Sequence, residues 1–274
     1  MQPLRTSFAR VSFGLALAFM LVAAAALLGP ASNAATATVV GEVGPGQTTF
    51  TYVGRIEQNG TLADDFGFLT SIEGLEETVL FSGSDPLSRD QSTARFTYFA
   101  NATLQTRSVN GNLFATAGTA RTTLYFSDSG GANFDEPASF KRGQAVATYE
   151  SHWRDIVNVQ GPNQGIATVV SNETQTGATP FTIGGAQYVL GHDGLLLRLA
   201  FTGQGTRTDP TAPRATILYG GEAVALSAAS VSAGTIAGTN GTSAATWVAL
   251  AFSALALLIS LVAAARGTAR RTGA

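Results

Sequence analysis

The 274-residue chain contains no cysteine. That excludes disulfides, thiol catalysis, iron–sulfur clusters and thiolate zinc sites. An exported domain without disulfides must be held by its core and its backbone hydrogen bonds alone. Histidine occurs only at His152 and His192, too few for a histidine-rich metal site. Charged residues make up 12% of the chain, and lysine appears once, at Lys141, against 15 arginines. An arginine bias of this kind, with abundant alanine, accompanies GC-rich coding and points to a bacterial source. In that setting the sequons at Asn59, Asn101, Asn172 and Asn240 carry no glycosylation argument, because Asn-x-Thr recurs by chance in a threonine-rich chain. Sustained helical periodicity is also missing from the whole middle of the sequence.

What is present first is a pair of apolar segments at the two ends. Arg5 and Arg10 precede the run Val11 to Leu28, which is broken at Pro30 and followed by the small residues Ser32-Asn33-Ala34. A basic start, an apolar middle and a small-residue end make a signal peptide over 1–34, with cleavage expected after Ala34. An uncleaved anchor helix is the alternative, and it leaves the middle of the chain on the same side. Ala244 to Ala265 is a run of 22 uncharged residues, long enough to cross a hydrocarbon core of about 30 Å at about 1.5 Å per residue. Trp247 stands at the outer headgroup level, and Arg266, Arg270 and Arg271 follow the run. It has no polar stripe of the kind a buried core helix shows. Both segments keep their arginines on one side, so the positive-inside rule gives a single-pass cell-membrane protein with its main domain extracytoplasmic. A sorting signal exchanged for a surface anchor is a lesser alternative, since no cleavage motif precedes Trp247. The expected organisation is therefore a signal peptide at 1–34, an extracytoplasmic domain at 35–226, a flexible Ala/Ser/Gly/Thr stalk at 227–243, a transmembrane helix at 244–265 and a basic cytoplasmic tail at 266–274.

Five of the 16 basic residues belong to those flanks, which leaves 11 against all 18 acidic residues in the exported part, a formal charge of −7. A domain of that sign repels phosphate backbones, so nucleic acid is excluded as a partner.

About 200 residues lie between the apolar segments, enough for one domain with its own core. Their pattern is two-residue alternation. Phe96, Tyr98, Ala100, Ala102 and Leu104 fall on one face; Thr97, Phe99, Asn101, Thr103, Gln105 and Arg107 fall on the other. Asn110-Gly111 then signals a hairpin, with a return strand from Leu113 through Ala120, Thr122, Leu124 and Phe126 and a bulge or bend at Gly118. Further strands are expected at Thr48–Gln58, Phe66–Ile72, Thr78–Phe81, Ser139–Ser151, Ile156–Gln160, Ile166–Val170, Gln187–Leu190, Leu195–Thr202, Ala215–Tyr219 and Ala223–Leu226. This predicts an all-β fold, a single antiparallel β-barrel, with a β-sandwich as the alternative. In size and pattern it resembles a calycin-type domain, a likeness of architecture from which no function follows. An outer-membrane barrel is disfavoured, because the strands lack a lipid-facing apolar band with aromatic girdles. Phe50, Tyr52, Phe66, Phe68, Phe81, Phe96, Tyr98, Phe126 and Phe140 are the expected core, some of them lining a cavity if the fold is a barrel.

Motifs that carry chemistry are sparse. Asp128-Ser129-Gly130-Gly131 matches the nucleophile segment of trypsin-like proteases in four letters, yet both histidines lie downstream where that family needs its base upstream, so it reads as a turn. Asp128, Asn133, Asp135 and Glu136 are hard oxygen donors within nine positions and are the candidate calcium ligands, at a spacing that matches no fixed loop. Glu150 and His152 share a strand face, with Asp155 close behind; these three are the candidate acid–base or metal set. His192-Asp193-Gly194 reads as a hairpin turn. Glu76-Glu77, Asp64-Asp65 and Arg89-Asp90 read as surface charges, and Gly203-Gln204-Gly205 as a strand end without the third glycine of a dinucleotide loop. No cofactor is expected. The leading functional expectation is a membrane-anchored, non-enzymatic binding domain for an apolar small molecule or lipid. The alternatives are a cell-surface module meeting a protein or glycan through its loops, and an enzyme using Glu150, His152 and Asp155.

Overall fold

The computed structural model describes residues 36–209, 211 and 214–227. The expected signal peptide, transmembrane helix and basic tail, and nearly all of the stalk, lie outside the described residues. Among the described residues no helix is long and apolar enough to cross a membrane.

The described elements are β1 (Thr38–Val40), β2 (Thr48–Asn59), β3 (Leu62–Ile72), a one-turn helix α1 (Glu77–Leu80), β4 (Phe96–Asn110), β5 (Leu113–Phe126), β6 (Gln144–Gly161), β7 (Gln164–Ala178), β8 (Phe181–Ile183), β9 (Ala186–Leu190), β10 (Leu196–Asp209) and β11 (Arg214–Ala225), with 3-10 turns at Pro86–Ser88 and Pro137–Lys141. Eight of the strands form a closed antiparallel barrel in the order β10-β11-β2-β3-β4-β5-β6-β7, with β7 pairing back to β10. Closure decides barrel against sandwich, and it removes every open edge from the sheet. A separate three-stranded sheet, β1-β9-β8, has β1 parallel to β9. Both cores are drawn from residues 40–225.

Short turns gather at one end of the barrel and long connections at the other. The turn end carries Gly60-Thr61, Gly111-Asn112, Pro162-Asn163 and the link from Asp209 to Arg214; the loop end carries 73–95, 127–143 and 179–195. Asn163 is the one non-glycine residue among those described with a positive φ, 60°. The anticipated Asn110-Gly111 hairpin forms one residue later: Asn110 still pairs with Leu113, and the turn is Gly111-Asn112.

Several expected elements are redrawn. Thr78–Phe81 is not a strand but helix α1, followed by a single bridge from Phe81 to Ala94. Ser139–Lys141 belongs to a 3-10 turn, and the chain then runs as one 18-residue strand, β6, instead of two. Ala215–Tyr219 and Ala223–Leu226 merge into β11 across Gly220 and Gly221, whose missing side chains disguise a continuous strand as a gap. Gly203 and Gly205 lie within β10, not at its end. Residues 192–194 do form a turn, but no hairpin, because β9 and β10 belong to different sheets. The Gly118 bend is realised as a bulge on the opposite strand: Leu104 pairs with Gly118 and Thr106 with Ala117, leaving Gln105 extra. That bulge flips the alternation beyond it, so Arg107, expected opposite Tyr98 and Ala100, joins them on the inner face.

The loop half of the interior is solid. Phe96 and Phe126 pack with ring centroids 5.0 Å apart, and Phe181 of β8 closes over them at 5.4 and 5.1 Å. The Gln175 amide on β7 donates to Leu190 O at 2.8 Å, tying the small sheet across that end. A second core lies outside the barrel wall. Segment 127–143 straps over β3 and β4, and Phe134 and Phe140 pack on Phe66 and Phe99, with Phe66–Phe140 centroids 5.2 Å apart. Phe66 and Phe140 are buried, as expected, but in this outer cluster. The Thr97 hydroxyl donates to Phe140 O at 2.8 Å, and the Arg55 guanidinium covers the rings of Phe66 and Phe134. Phe140→Ala should cost about 3–5 kcal/mol of unfolding free energy, read by chemical denaturation, and leave the barrel interior unaltered.

Candidate binding cavity

The inner faces change size along the barrel. β4 runs from Phe96 and Tyr98 to Ala100 and Ala102; β5, in the same spatial direction, from Phe126 and Leu124 to Thr122, Ala120 and Gly118; β10 from Leu197, Leu199 and Phe201 to Gly203 and Gly205; β7 from Gln175 and Glu173 to Ala167 and Gly165. On these four strands large side chains fill the loop half and small ones follow in mid-barrel, opening a space that larger residues line toward the turn end. The result is a cavity of about 760 Å³ reaching the turn end, where Gly60, Thr61, Asn163 and Thr206 line it. Its walls are mostly apolar, with Ile56, Leu104, Phe114, Trp153, Val157 and Ile217 among them. Trp153 reaches across Gly118, where a Cβ would lie 2.6 Å from its ring, and its indole N–H donates to Thr119 O at 3.2 Å.

At the depth where large residues begin, the cavity has a polar floor. Tyr219 donates to Asp65 Oδ1 in a short hydrogen bond, and the Tyr98 and Tyr219 hydroxyls are 2.5 Å apart. Glycine makes the room: a Cβ at Gly54 would overlap the Tyr98 hydroxyl and lie 2.7 Å from that of Tyr219. Glu173 is 7% exposed and takes only a long bond, 3.5 Å, from the Ser171 hydroxyl. The Tyr52 hydroxyl has no protein partner although Tyr52 is 4% exposed, and neither has Asp155 Oδ1, with Asp155 at 9%. Burial pushes Asp65 up to about 7, against the Tyr219 hydrogen bond, which lowers it. Burial, then repulsion by Asp65, pushes Glu173 up to about 8. Burial raises Asp155 to about 6, opposed by hydrogen bonds from the Thr168 backbone and the Thr116 side chain. Burial likewise raises Tyr52, Tyr98, Tyr149 and Tyr219 above the ordinary phenol value. The basic residues on the lining, Arg107, Arg207 and Arg214, all stand exposed toward the turn end. The Arg107 guanidinium lies 4.7 Å from the centroid of Phe114, Arg207 Nε donates to Asp209 O at 2.9 Å, and Arg214 Nε donates to Asn59 Oδ1 at 3.3 Å. The cavity is therefore acidic at its floor and basic at its rim.

Of the charged residues and motifs singled out from sequence, Asp155 and Asp65 reach the cavity and the others fall elsewhere. Glu150 and His152 point out of β6 into solvent, where Glu150 pairs with Arg121 at 2.5 Å. Asp155 points inward, because an odd step from His152 crosses the sheet. The three do not converge. Asp128, Asn133, Asp135 and Glu136 lie on the strap: Asn133 Oδ1 accepts from the Asp135 N–H at 3.0 Å, and Glu136 pairs with Arg142 at 2.9 Å. Among the described residues no group of three or more His, Asp or Glu side chains is placed to hold a metal ion. Ser127 and Ser129 share a hydroxyl contact at 3.3 Å in a turn. His192 Nε2 is 3.6 Å from Glu42 Oε1. Glu77 pairs with Arg89 at 2.9 Å on the surface. Asp64 accepts from the Asn101 amide at 2.8 Å on the outside, but its neighbour Asp65, expected at the surface with it, is part of the floor. Glu173 has the same parity as Ala167, Val169 and Ser171 on a strand that alternates without a break, and that signal is available in the sequence.

The outer wall carries Glu150, His152, Arg154 and Asn158 on β6 and Thr168, Asn172, Thr174 and Thr176 on β7, with Ile156, Ile166 and Val170 exposed among them. Comparison with protein-family models, curated proteins and solved structures gave no match.

Proposed function

We propose that the protein is a non-enzymatic binding protein which holds an apolar small molecule or lipid inside its barrel, on the extracytoplasmic side of the cell membrane. One observation carries this reading: an apolar-walled cavity of about 760 Å³, closed at the loop end and reaching the turn end. Eight-stranded barrels either fill their interior with side chains or hold one small ligand, and this volume falls in the range of ligand pockets. A chain that keeps Ala100, Ala102, Ala120, Ala167, Gly165 and Gly205 on the inner faces of four strands forgoes burial and dispersion energy that larger residues would supply. Function accounts for that loss better than stability does. The expected signal peptide, stalk and membrane helix supply export and anchoring, and so keep the barrel beside a bilayer, the natural source of an apolar ligand.

Native mass spectrometry of the full-length chain released from detergent tests the proposal. The expected spectrum shows added mass that disappears on denaturation, either as purified or after incubation with apolar probes. Ala102→Trp, which puts an indole into the open half, should weaken uptake at least about tenfold with little change in melting. A bare mass in every condition sinks the proposal.

A further inference from the structure

We infer that the floor of the cavity is a site for a protonated amine, so that an apolar ligand enters amine-first and its ammonium is held by Asp65, Glu173 and the Tyr52 hydroxyl. This rests on the cavity being the ligand site.

Three observations converge. First, Asp65, Glu173 and Asp155 all line the cavity, and its basic residues, Arg107, Arg207 and Arg214, stand at the opposite end. Buried carboxylates are paired or neutralised, and among the described residues no ion pair is formed by Asp65, Glu173 or Asp155. Second, the Tyr52 hydroxyl and Asp155 Oδ1 are buried without a protein partner. Both are oxygen atoms able to accept from an N–H donor. Third, the ring of Tyr52 meets those of Tyr98, Phe201 and Tyr219 at centroid distances of 6.0, 6.3 and 6.1 Å. Aromatic faces grouped around carboxylates are the setting in which organic ammonium ions are recognised. A carboxylate or phosphate head would add charge of the wrong sign to this floor. A neutral hydroxyl would leave the two carboxyls to hold their protons and would gain no ionic contact.

The groups facing Asp65 and Glu173 are Tyr52 of β2, Tyr98 of β4, Tyr149 of β6 and Tyr219 of β11, with Glu222 acting on Tyr52 from the outer face of β11. Asp155 lies four residues further along β6 than Ser151, the partner of Glu173, and is opposite Val169. On β5 and β10 the cavity wall at this depth is Thr122, Leu124, Leu199 and Phe201, none charged. Every ionisable group at the floor is therefore an acid. Binding of an ammonium expels the protons that the carboxyls retain at neutral pH, and affinity rises with pH until both are ionised.

The full-length chain in detergent is titrated calorimetrically with dodecylamine, dodecanol and dodecanoate, with detergent alone as the blank. At pH 8.5 dodecylamine should bind at least about tenfold more tightly than dodecanol, the return of one charge-assisted hydrogen bond, with dodecanoate weakest. The preference should shrink at pH 5.5. At pH 7 the heat should vary with the ionisation enthalpy of the buffer, reporting proton release. The Asp65→Asn/Glu173→Gln pair should abolish the preference for amine over alcohol, and Tyr52→Phe should reduce it. Equal affinity for amine and alcohol, or a preference that survives in the double variant, overturns the inference. Tightest binding of dodecanoate also overturns it, placing the head at the arginine rim while the cavity reading stands. If none of the three probes binds, the cavity reading itself falls.

Discussion

Raising the pH from 5 to 9 is expected to destabilise the ligand-free barrel by several kcal/mol, the reverse of what surface carboxylates do. Asp65 and Glu173 are held near 7 and 8 in the folded state by burial, against ordinary values of 3.8 and 4.5. Between those limits the folded state keeps protons that the unfolded chain has released. Stability follows the difference in bound protons, so it falls as pH rises through the window and levels off once both groups are ionised. Asp155 adds a smaller fall that ends near pH 6. Each tenfold change in acid strength corresponds to about 1.4 kcal/mol, which from pH 5 upward sets an upper limit of about 3 kcal/mol for Asp65 and about 4 kcal/mol for Glu173. Asp65 keeps some surface toward the cavity, and the two carboxyls repel one another, so their contributions overlap. A combined loss on the order of 5 kcal/mol, or about 10–20 °C in Tm for a domain of this size, is the expected result. Asp90 is pulled below the ordinary carboxylate range, chiefly by the Ser92 hydroxyl, but its effect belongs to more acidic pH and does not enter the window.

The Asp65→Asn/Glu173→Gln variant separates this account from a general pH effect. The introduced asparagine retains an acceptor for the Tyr219 hydroxyl, and neither new amide titrates. Melting of the double variant should be nearly flat from pH 6.5 to 9 and higher than wild type at pH 9. Thermal scans at fixed ionic strength decide it: a flat wild-type profile, or a slope unchanged in the double variant, removes the carboxyls as the cause. A cavity that destabilises its own barrel at the pH where its acids ionise is one whose ligand supplies what is missing.

The fold is legible in the sequence wherever alternation is strong. Phe96 to Leu104 and the return from Leu113 become strands close to their expected places, whereas β7 runs over Gln164–Ala178 where only Ile166–Val170 is expected, and the number of strands suits a barrel and a sandwich alike until closure decides. The illegible parts have particular causes. Gly220 and Gly221 interrupt the pattern of β11 because glycine carries no side chain to alternate. The Gln105 bulge inverts parity in mid-strand, which is why alternation alone puts Arg107 on the wrong face. β1 and β8 are three residues each and owe their form to the plug they build with β9. Segment 127–143 reads as an acidic loop because Asp128, Asp135 and Glu136 outnumber Phe134 and Phe140 in sequence, whereas in space the two phenylalanines decide where it lies. The site is hidden for a different reason. Motif reasoning favours histidine and clustered acids near each other in the chain, and the floor is assembled from single residues on five strands: Tyr52, Tyr98, Tyr219, Asp65 and Glu173. The readable signal is the run of small inner residues in mid-strand on β4, β5, β7 and β10, which marks where the barrel is hollow.

Gly54→Ala should be among the most damaging single-methyl additions in the barrel, and Tyr98→Phe should partly repair it. The added Cβ would overlap the Tyr98 hydroxyl and meet the Tyr219 hydroxyl at 2.7 Å and Phe66 O at 2.9 Å. Nothing there is the free end of a flexible chain: Tyr98 is buried, and its hydroxyl also reaches Val53 O at 3.3 Å. Forcing such a core apart costs about 3 kcal/mol, or roughly 6–12 °C of melting temperature. Tyr98→Phe alone loses its hydroxyl contacts for about 1–1.5 kcal/mol, while Tyr219 keeps its bond to Asp65. In the double variant the phenylalanine leaves room for the alanine methyl, so the pair should be less damaging than the sum of its parts by about 1–2 kcal/mol. Gly205→Ala is the control, since its nearest neighbour stands at 3.5 Å and the new methyl enters ordinary contact. Strict additivity of Gly54→Ala and Tyr98→Phe, read from denaturant melts of the four proteins, would falsify the close approach. Because Gly54 lets the two tyrosines meet over Asp65, the same substitution raises the floor of the cavity, and a loss of binding that tracks the loss of stability across these variants ties the fold of this one glycine to the depth of the site.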